Sequence, residues 1–318
     1  MQNSFFWLVQ HISWLKQSEG ITISDKVLLF FIKLYYISLR IVLALALGRE
    51  RSTRLVLERG LDFNTLWNKS FRFWKRGENS SELLKFKMPK YDFQFYSRKN
   101  KDDFPLMTFH EDDIIELFRP REGDIVIDVG AHIGKYTLIA SKRVGPNGKV
   151  VAIEADPDNF DLLNRNIQLN KLSNVIALNY AVYSEEKRIK LYLPTGEGES
   201  SYTKYNTIMF NRAQGEKKFL EVKANTLDSL LLSNMIRQEK VNWIKIDVEG
   251  AEYEVLKGAK DILSKCSDIA LLIEIHNLSP GFNLYKPINE FLSLYDFKIE
   301  FEEPSENGER HIIARKYY

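Results

Sequence analysis

The stretch from Asp124 to Val144 constrains this chain most. Asp124-Ile125-Val126-Ile127-Asp128 is a continuous apolar run ending in an acid, Val129-Gly130-Ala131-His132-Ile133-Gly134 bears two spaced glycines, and residues 135–144 follow with helical periodicity. Strand, glycine turn and helix in that order form the first unit of a doubly wound α/β fold. Glycine at 130 and 134 lets the backbone approach a ligand where a side chain would clash, and the next helix directs free N–H groups at it. A second apolar run, Val150 to Ile153, ends in Glu154 and is followed by Asp156-Pro157 and a helix over residues 158–170. Glu154 therefore stands at the second strand's tip, where a carboxylate can accept hydrogen bonds from both hydroxyls of a ribose. That placement implies an adenosine-bearing ligand.

A dinucleotide fingerprint needs glycine where His132 stands, so NAD is the weaker reading. An acid two residues before the first glycine, here Asp128, can reach across the turn to a cationic amino group, which suits the methionine half of S-adenosylmethionine. The later strands repeat the pattern. Val175 to Asn179 leads into Tyr180-Ala181, Trp243 to Asp247 into Val248-Glu249-Gly250-Ala251-Glu252, and Ile269 to Ile275 into His276. Alternation along a strand puts Glu274 and His276 on one face. Asp128, Glu154, Asn179, Asp247, Glu249, Glu274 and His276 thus gather at the carboxyl edge, where open α/β sheets bind ligands. A helix over 287–294 and strands over 297–302 and 309–316 complete an α/β fold with a seven-stranded, Rossmann-like sheet and an antiparallel terminal hairpin, the architecture of class I methyltransferases. The polar excursion 185–224, with strands expected at 188–193 and 219–222, reads equally as a substrate lid and as a solvated loop.

With 318 residues, the chain has room for a module beside an α/β domain of about 200 residues. Residues 1–90 carry 15 basic and 7 acidic side chains, net +8, which leaves 30 basic and 36 acidic, net −6, for the rest. A basic segment beside an acidic body suggests contact with lipid headgroups or nucleic acid, with basic solvated helices as the plain alternative. Val27 to Gly48 has 18 apolar residues of 22, but Lys33 and Arg40 inside it argue against a membrane span. Lys26, Lys33 and Arg40 share one stripe of a helix. Such a helix packs on the protein with its stripe in water or lies in a membrane interface, so peripheral membrane contact through residues 26–48 is a candidate. Phe63, Trp67, Phe71, Phe73 and Trp74, interleaved with Arg72, Lys75 and Arg76, read as a helix core more than as a stacking platform, which makes nucleic acid the less favoured partner. No cleavable signal is recognised, and the single Cys266 excludes an intrachain disulfide. Together these features place the chain in the cytoplasm, with membrane association as the variant. The expected organisation is a basic, aromatic-rich helical module at 1–90, a lead-in at 91–120 and an S-adenosylmethionine-binding domain at 121–318. In the lead-in, Tyr91, Phe93 and Phe95 pair through a charged turn with residues 104–109, and a helix spans 112–118.

In these features the chain resembles the FkbM-type family of S-adenosylmethionine-dependent methyltransferases. The matching segments are Gly123-Asp124, Ile127 to Gly134, Glu154 to Pro157, Asn166 to Asn170, Asn179-Tyr180-Ala181, Thr226-Leu227-Asp228, Lys245 to Glu252 and Glu274-Ile275-His276. His132 stands where the family usually has asparagine, which alters the hydrogen bond offered there, and residues 1–90 lie outside the resemblance. The resemblance implies methyl transfer to a hydroxyl of a sugar, glycolipid or small metabolite, with Asp128, Gly130, His132, Gly134, Glu154, Asn179 and Ala181 at the cofactor. A hydroxyl is a poor nucleophile that must be aligned and must give up its proton. Asp247 and His276 are the expected base or base-orienting groups. Glu249 and Glu274 either contact substrate hydroxyls or join Asp247 and His276 around a divalent metal. Substrate contact is the preferred role, and no metal ligand is assigned. Glu252 is expected at the surface or capping the next helix. Two other classes remain: an RNA methyltransferase using the basic module, and a non-catalytic membrane-peripheral binding protein.

Overall fold

The computed structural model describes residues 31, 35, 83–88, 91–98, 103, 107, 112–193, 218–279, 282–304 and 309–317. The basic stripe at Lys26, Lys33 and Arg40, the aromatic cluster at 63–74 and residues 194–217 of the polar excursion lie outside the described residues. The chain divides into two units, residues 1–110 and 111–318.

In the first unit, β1 (Leu83–Met88) pairs antiparallel with β2 (Phe93–Arg98), Met88 opposite Phe93. Leu84, Phe86 and Met88 alternate inward, as do Phe93 and Phe95, and Phe86 stacks on Phe95 with ring centroids 5.4 Å apart. This corrects the expected hairpin: the partner of Phe93 to Arg98 precedes it, and Met107, in the expected return segment, is helical, as is Asp103 in the expected turn. The chain reverses through Asp92 at φ 50°. The charged run is closed by Arg98, whose Nε and Nη2 donate to Asp103 at 2.8 and 2.7 Å. Residues 83–88, at the end of the segment expected to be helical, form a strand.

The second unit runs α1 (Asp112–Ile115), β3 (Ile125–Val129), α2 (Lys135–Val144), β4 (Lys149–Ile153), α3 (Pro157–Leu169), β5 (Val175–Leu178), β6 (Ala181–Val182), β7 (Lys187–Tyr192), β8 (Phe219–Asn225) and α4 (Leu227–Ser233). It continues with β9 (Val241–Ile246), α5 (Glu252–Lys257), α6 (Lys260–Lys265), β10 (Ile269–Ile275), β11 (Asn277–Ser279), β12 (Phe282–Asn283), α7 (Tyr285–Ser293), β13 (Lys298–Pro304) and β14 (Arg310–Lys316). Seven strands form one sheet in the order β13-β14-β10-β9-β3-β4-β5. Its inner strands are parallel, and β14 runs antiparallel to both β10 and β13. The seven-stranded sheet with a terminal hairpin is therefore as the sequence predicts. Central strands buried on both faces need continuous apolar runs, and Ile127, Val129, Ile244, Ile246, Leu271 and Ile273 supply them within one core cluster. The strands expected at 188–193 and 219–222 pair as β7 and β8, in a small sheet ordered β6-β8-β7.

Local chemistry sets the helix starts. Asp156 caps α3, accepting from the N–H groups of Asp158 and Asn159, with Pro157 in the first turn. Thr226 caps α4 through Ser229 N–H at 3.1 Å. The Asp228 carboxylate accepts the N–H groups of Asp261 and Ile262 at 2.9 and 3.1 Å and so anchors the start of α6.

Gly130 has φ 77°, and a Cβ there would lie 1.8 Å from the carbonyl oxygen of Asp247. Neither the dihedral nor the space admits a side chain. At Gly123 φ is 88° but nothing lies within 4 Å of the added carbon. We predict that Gly130→Ala destabilises the chain by about 3 kcal/mol or more and Gly123→Ala by only about 1 kcal/mol. Urea denaturation of the two variants checks this, and equal losses would show that the close approach at Gly130 carries no weight.

Candidate active site

The site begins with the pairing of β3 and β9, which sets Asp128 beside Lys245. The Lys245 ammonium is buried, and a buried charge must be paired. Its Nζ lies 3.0 Å from Asp247 Oδ2, 3.1 Å from the Gly130 carbonyl oxygen and 3.7 Å from Asp128 Oδ1. Asp128 is 1% exposed, and its Oδ2 accepts from the Thr137 hydroxyl at 2.6 Å. The cation that Asp128 faces is thus the chain's own lysine. Burial raises the Asp128 pKa, opposed by the charge of Lys245 and the Thr137 bond. Its Oδ1 makes no hydrogen bond among the described residues.

Glu154 sits at the β4 tip as expected, and its oxygens are held from two sides. The N–H of His132 donates to Oε2 at 2.8 Å and that of Asp156 to Oε1 at 2.9 Å. The Asn159 side chain donates to the same carboxylate, which leaves one acceptor direction open. His132 adopts φ 51°, a left-handed conformation that asparagine and histidine tolerate better than most residues, so the turn accepts either. Asn166, wholly buried, donates to the Ile133 carbonyl at 2.8 Å and holds the same turn from α3.

Asn179 ties the β5 tip to this edge by donating to the carbonyls of Glu154 and Ala155 at 2.8 and 3.1 Å. The Ala181 methyl packs with Leu191, Val222 and Ala224 in the small sheet, leaving only its backbone for a ligand. Gly130 and Gly134 are required first by the chain itself, since a Cβ at Gly134, with φ 103°, would meet Leu163 Cδ1 at 2.8 Å.

A second cluster forms where β9 and β10 end side by side. His276 is 3% exposed. Its Nδ1 lies 2.8 Å from Glu252 Oε1, and its Nε2 lies 3.5 Å from Glu249 and 3.6 Å from Glu274. Glu249 is placed by a left-handed backbone, φ 55°, followed by Gly250 at φ 105°. Burial alone lowers the His276 pKa, but the carboxylates of Glu249, Glu274 and Glu252 outweigh it and hold the imidazole well above its usual range. Asp247 and His276, the two expected base or base-orienting groups, thus stand in one cluster.

Glu252 departs from its expected place. It is fully buried, and besides His276 its Oε1 receives the Gly250 N–H at 2.8 Å. Sequence reasoning gave no role to Lys245, Thr137 or His311, whose Nε2 lies 3.5 Å from Glu274 Oε2. The alternation within Lys245-Ile246-Asp247 was the one available signal for Lys245, because it puts both side chains on one face.

Burial pushes the Glu154 pKa up to about 7 from 4.5, against the N–H bonds of Asp156 and His132. The native chain then holds a proton that the unfolded chain releases near 4.5, so this group's contribution is full below that pH and is lost as pH rises to about 7. We predict that wild type loses on the order of 3 kcal/mol relative to Glu154→Gln across that window. Chemical denaturation of both proteins at several pH values measures the difference, and parallel curves would contradict it.

Known proteins resemble this chain over the same stretch of sequence. Residues 128–299 match the Methyltransferase FkbM domain. "Methyltransferase sdnD" of Sordaria araneosa is 30% identical over 177 residues, 49% of this chain and 67% of that protein. "Hexuronic acid methyltransferase AglP" of Haloferax volcanii is 32% identical over 168 residues, 52% of this chain and 62% of its own length. A solved SAM-dependent methyltransferase from Aquifex aeolicus aligns with 68% of this chain and 95% of its own at TM-score 0.40 and 16% identity. The match across residues 128–299 takes in both the β3–β4 edge and the β9–β10 cluster, and the chain belongs to the FkbM family of S-adenosylmethionine-dependent methyltransferases.

Proposed function

We propose that this chain transfers a methyl group to a hydroxyl oxygen of a sugar, glycolipid or small metabolite. The observation that carries this reading is the adjacency of two differently built groups on one sheet edge. The β3 and β4 tips present Asp128, His132 and Glu154, while the β9 and β10 tips present Asp247, Glu249, Glu274 and His276, and Lys245 touches both. The residues fit S-adenosylmethionine: Glu154 keeps acceptor capacity for ribose hydroxyls, and Asp128 has a carboxylate oxygen without a hydrogen bond among the described residues. When bound, the cofactor supplies an electrophilic methyl on a sulfonium. The chain's own task is then to hold an acceptor hydroxyl and take its proton. Asp247 is half-buried, with Lys245 fixing Oδ2 at 3.0 Å, and serves as the base. Glu249 and Glu274 suit hydrogen bonds from further hydroxyls, and a relative named for a hexuronic acid supports a sugar acceptor. A nucleic-acid acceptor, or a membrane contact through residues 26–48, rests on residues outside those described.

Two substitutions separate the roles. Glu154→Ala is expected to weaken S-adenosylmethionine binding about 10- to 100-fold, the size of one or two lost hydrogen bonds. Asp247→Asn is expected to keep that affinity within a few-fold and to lower turnover at least about 100-fold. Calorimetry gives the first, and transfer of labelled methyl to a panel of sugars, glycolipids and RNA gives the second. Labelling of RNA alone, or unchanged cofactor affinity in folded Glu154→Ala, would overturn the assignment.

A further inference from the structure

Four carboxylates gather at the β9 and β10 tips. Asp247, Glu249, Glu252 and Glu274 surround His276 or flank it in the turn. Lys245 is shared between Asp128 and Asp247, and His311 stands beside Glu274. Half-buried carboxylates gathered this closely around one buried imidazole make a favourable setting for a cation.

We infer that Asp247, Glu249 and His276 form a site for one divalent cation of the kind that accepts both oxygen and imidazole ligands. Each offers one ligand atom, and these atoms all lie within 4.8 Å of one another. Ligand atoms on a common ion at about 2.1 Å are about 3 to 4.2 Å apart, so closure needs about half an ångström of side-chain movement.

An independent observation points the same way. The imidazole of His276 is held at Nδ1 by Glu252, and a carboxylate accepts, so Nδ1 carries the hydrogen. The other nitrogen, Nε2, is aimed between Glu249 and Glu274 and makes no hydrogen bond among the described residues. A carboxylate behind one ring nitrogen, with the other presented to oxygen donors, is how metal-binding histidines are oriented. Glu252 is then a positioning residue, and its own start of α5 is fixed by the Gly250 N–H.

Two carboxylates and one imidazole favour Mn²⁺-like ions over thiophilic ones. Three protein ligands leave positions for an acceptor hydroxyl, whose proton is more easily lost beside a cation. The catalytic role of the ion rests on the proposed methyl transfer to oxygen, but its binding does not.

The test uses the full chain, freed of metal with a chelator and titrated with Mn²⁺ alone by electron paramagnetic resonance. The expected result is a single saturable site with nitrogen coupling from imidazole. Glu249→Gln and His276→Gln are expected to weaken it at least about tenfold, and His276→Gln to remove the nitrogen coupling. Absence of a saturable site in wild type at millimolar Mn²⁺ overturns the inference without recourse to any variant. Full Mn²⁺ affinity in both folded variants overturns it equally. S-adenosylhomocysteine binding, measured in parallel, keeps the two ideas apart: its loss with Mn²⁺ binding intact counts against the cofactor assignment only.

Discussion

The Lys245 ammonium is the interaction on which the rest of this edge depends. A charge removed from water has to be neutralised and hydrogen-bonded where it lies. Its partners come from three places in the sequence: Asp128 on β3, the Gly130 carbonyl in the turn, and Asp247 beyond β9. Satisfying all three fixes the turn after β3 against the tip of β9. The same closeness leaves no room for a side chain at Gly130, because the Asp247 carbonyl occupies the space. Glycine and lysine, more than a hundred residues apart, are two sides of one packing constraint.

Much of the architecture was legible because parallel strands covered on both faces leave a strong trace. Ile125 to Val129 and Ile269 to Ile275 could be placed from composition alone, and Asp156-Pro157 and Thr226 marked helix starts through capping chemistry. Partner choice was not legible. Period two marks Phe93 to Arg98 as a strand, but Leu84, Phe86 and Met88 alternate as well as the residues that follow it do, and nothing local ranks them. Glu252 misled for a related reason. At the first position of a helix an acid looks like a cap, and only the pairing of β9 with β10 brings His276 over it. The glycines were rightly singled out, yet the clashes they avoid lie first within the chain, with Asp247 and Leu163.

The carboxylates of this edge are held in unlike ways, and the difference bears on their tasks. Glu154 is gripped by two backbone amides, which fixes its direction, while burial raises its pKa to about 7. Glu249 is placed by its backbone, left-handed at φ 55°, a conformation that costs about 1 kcal/mol or more and persists only where neighbours enforce it.

Strain and buried charge coincide with topology. The chain order β3, β4, β5 proceeds toward one sheet edge, and β9, β10 proceed toward the other, so the direction of winding reverses between β3 and β9. At such a switch point the connections leave the sheet on opposite faces and open a crevice beyond the strand ends. Asp128 and Lys245 flank that point directly, one residue on each strand. The lysine therefore ties the walls of the crevice together below its mouth, leaving the groups above it, Glu154 on one side and Asp247, Glu249 and His276 on the other, to face whatever enters. A methyl donor and an acceptor need such an arrangement, with two differently built walls that can bring two ligands to one line.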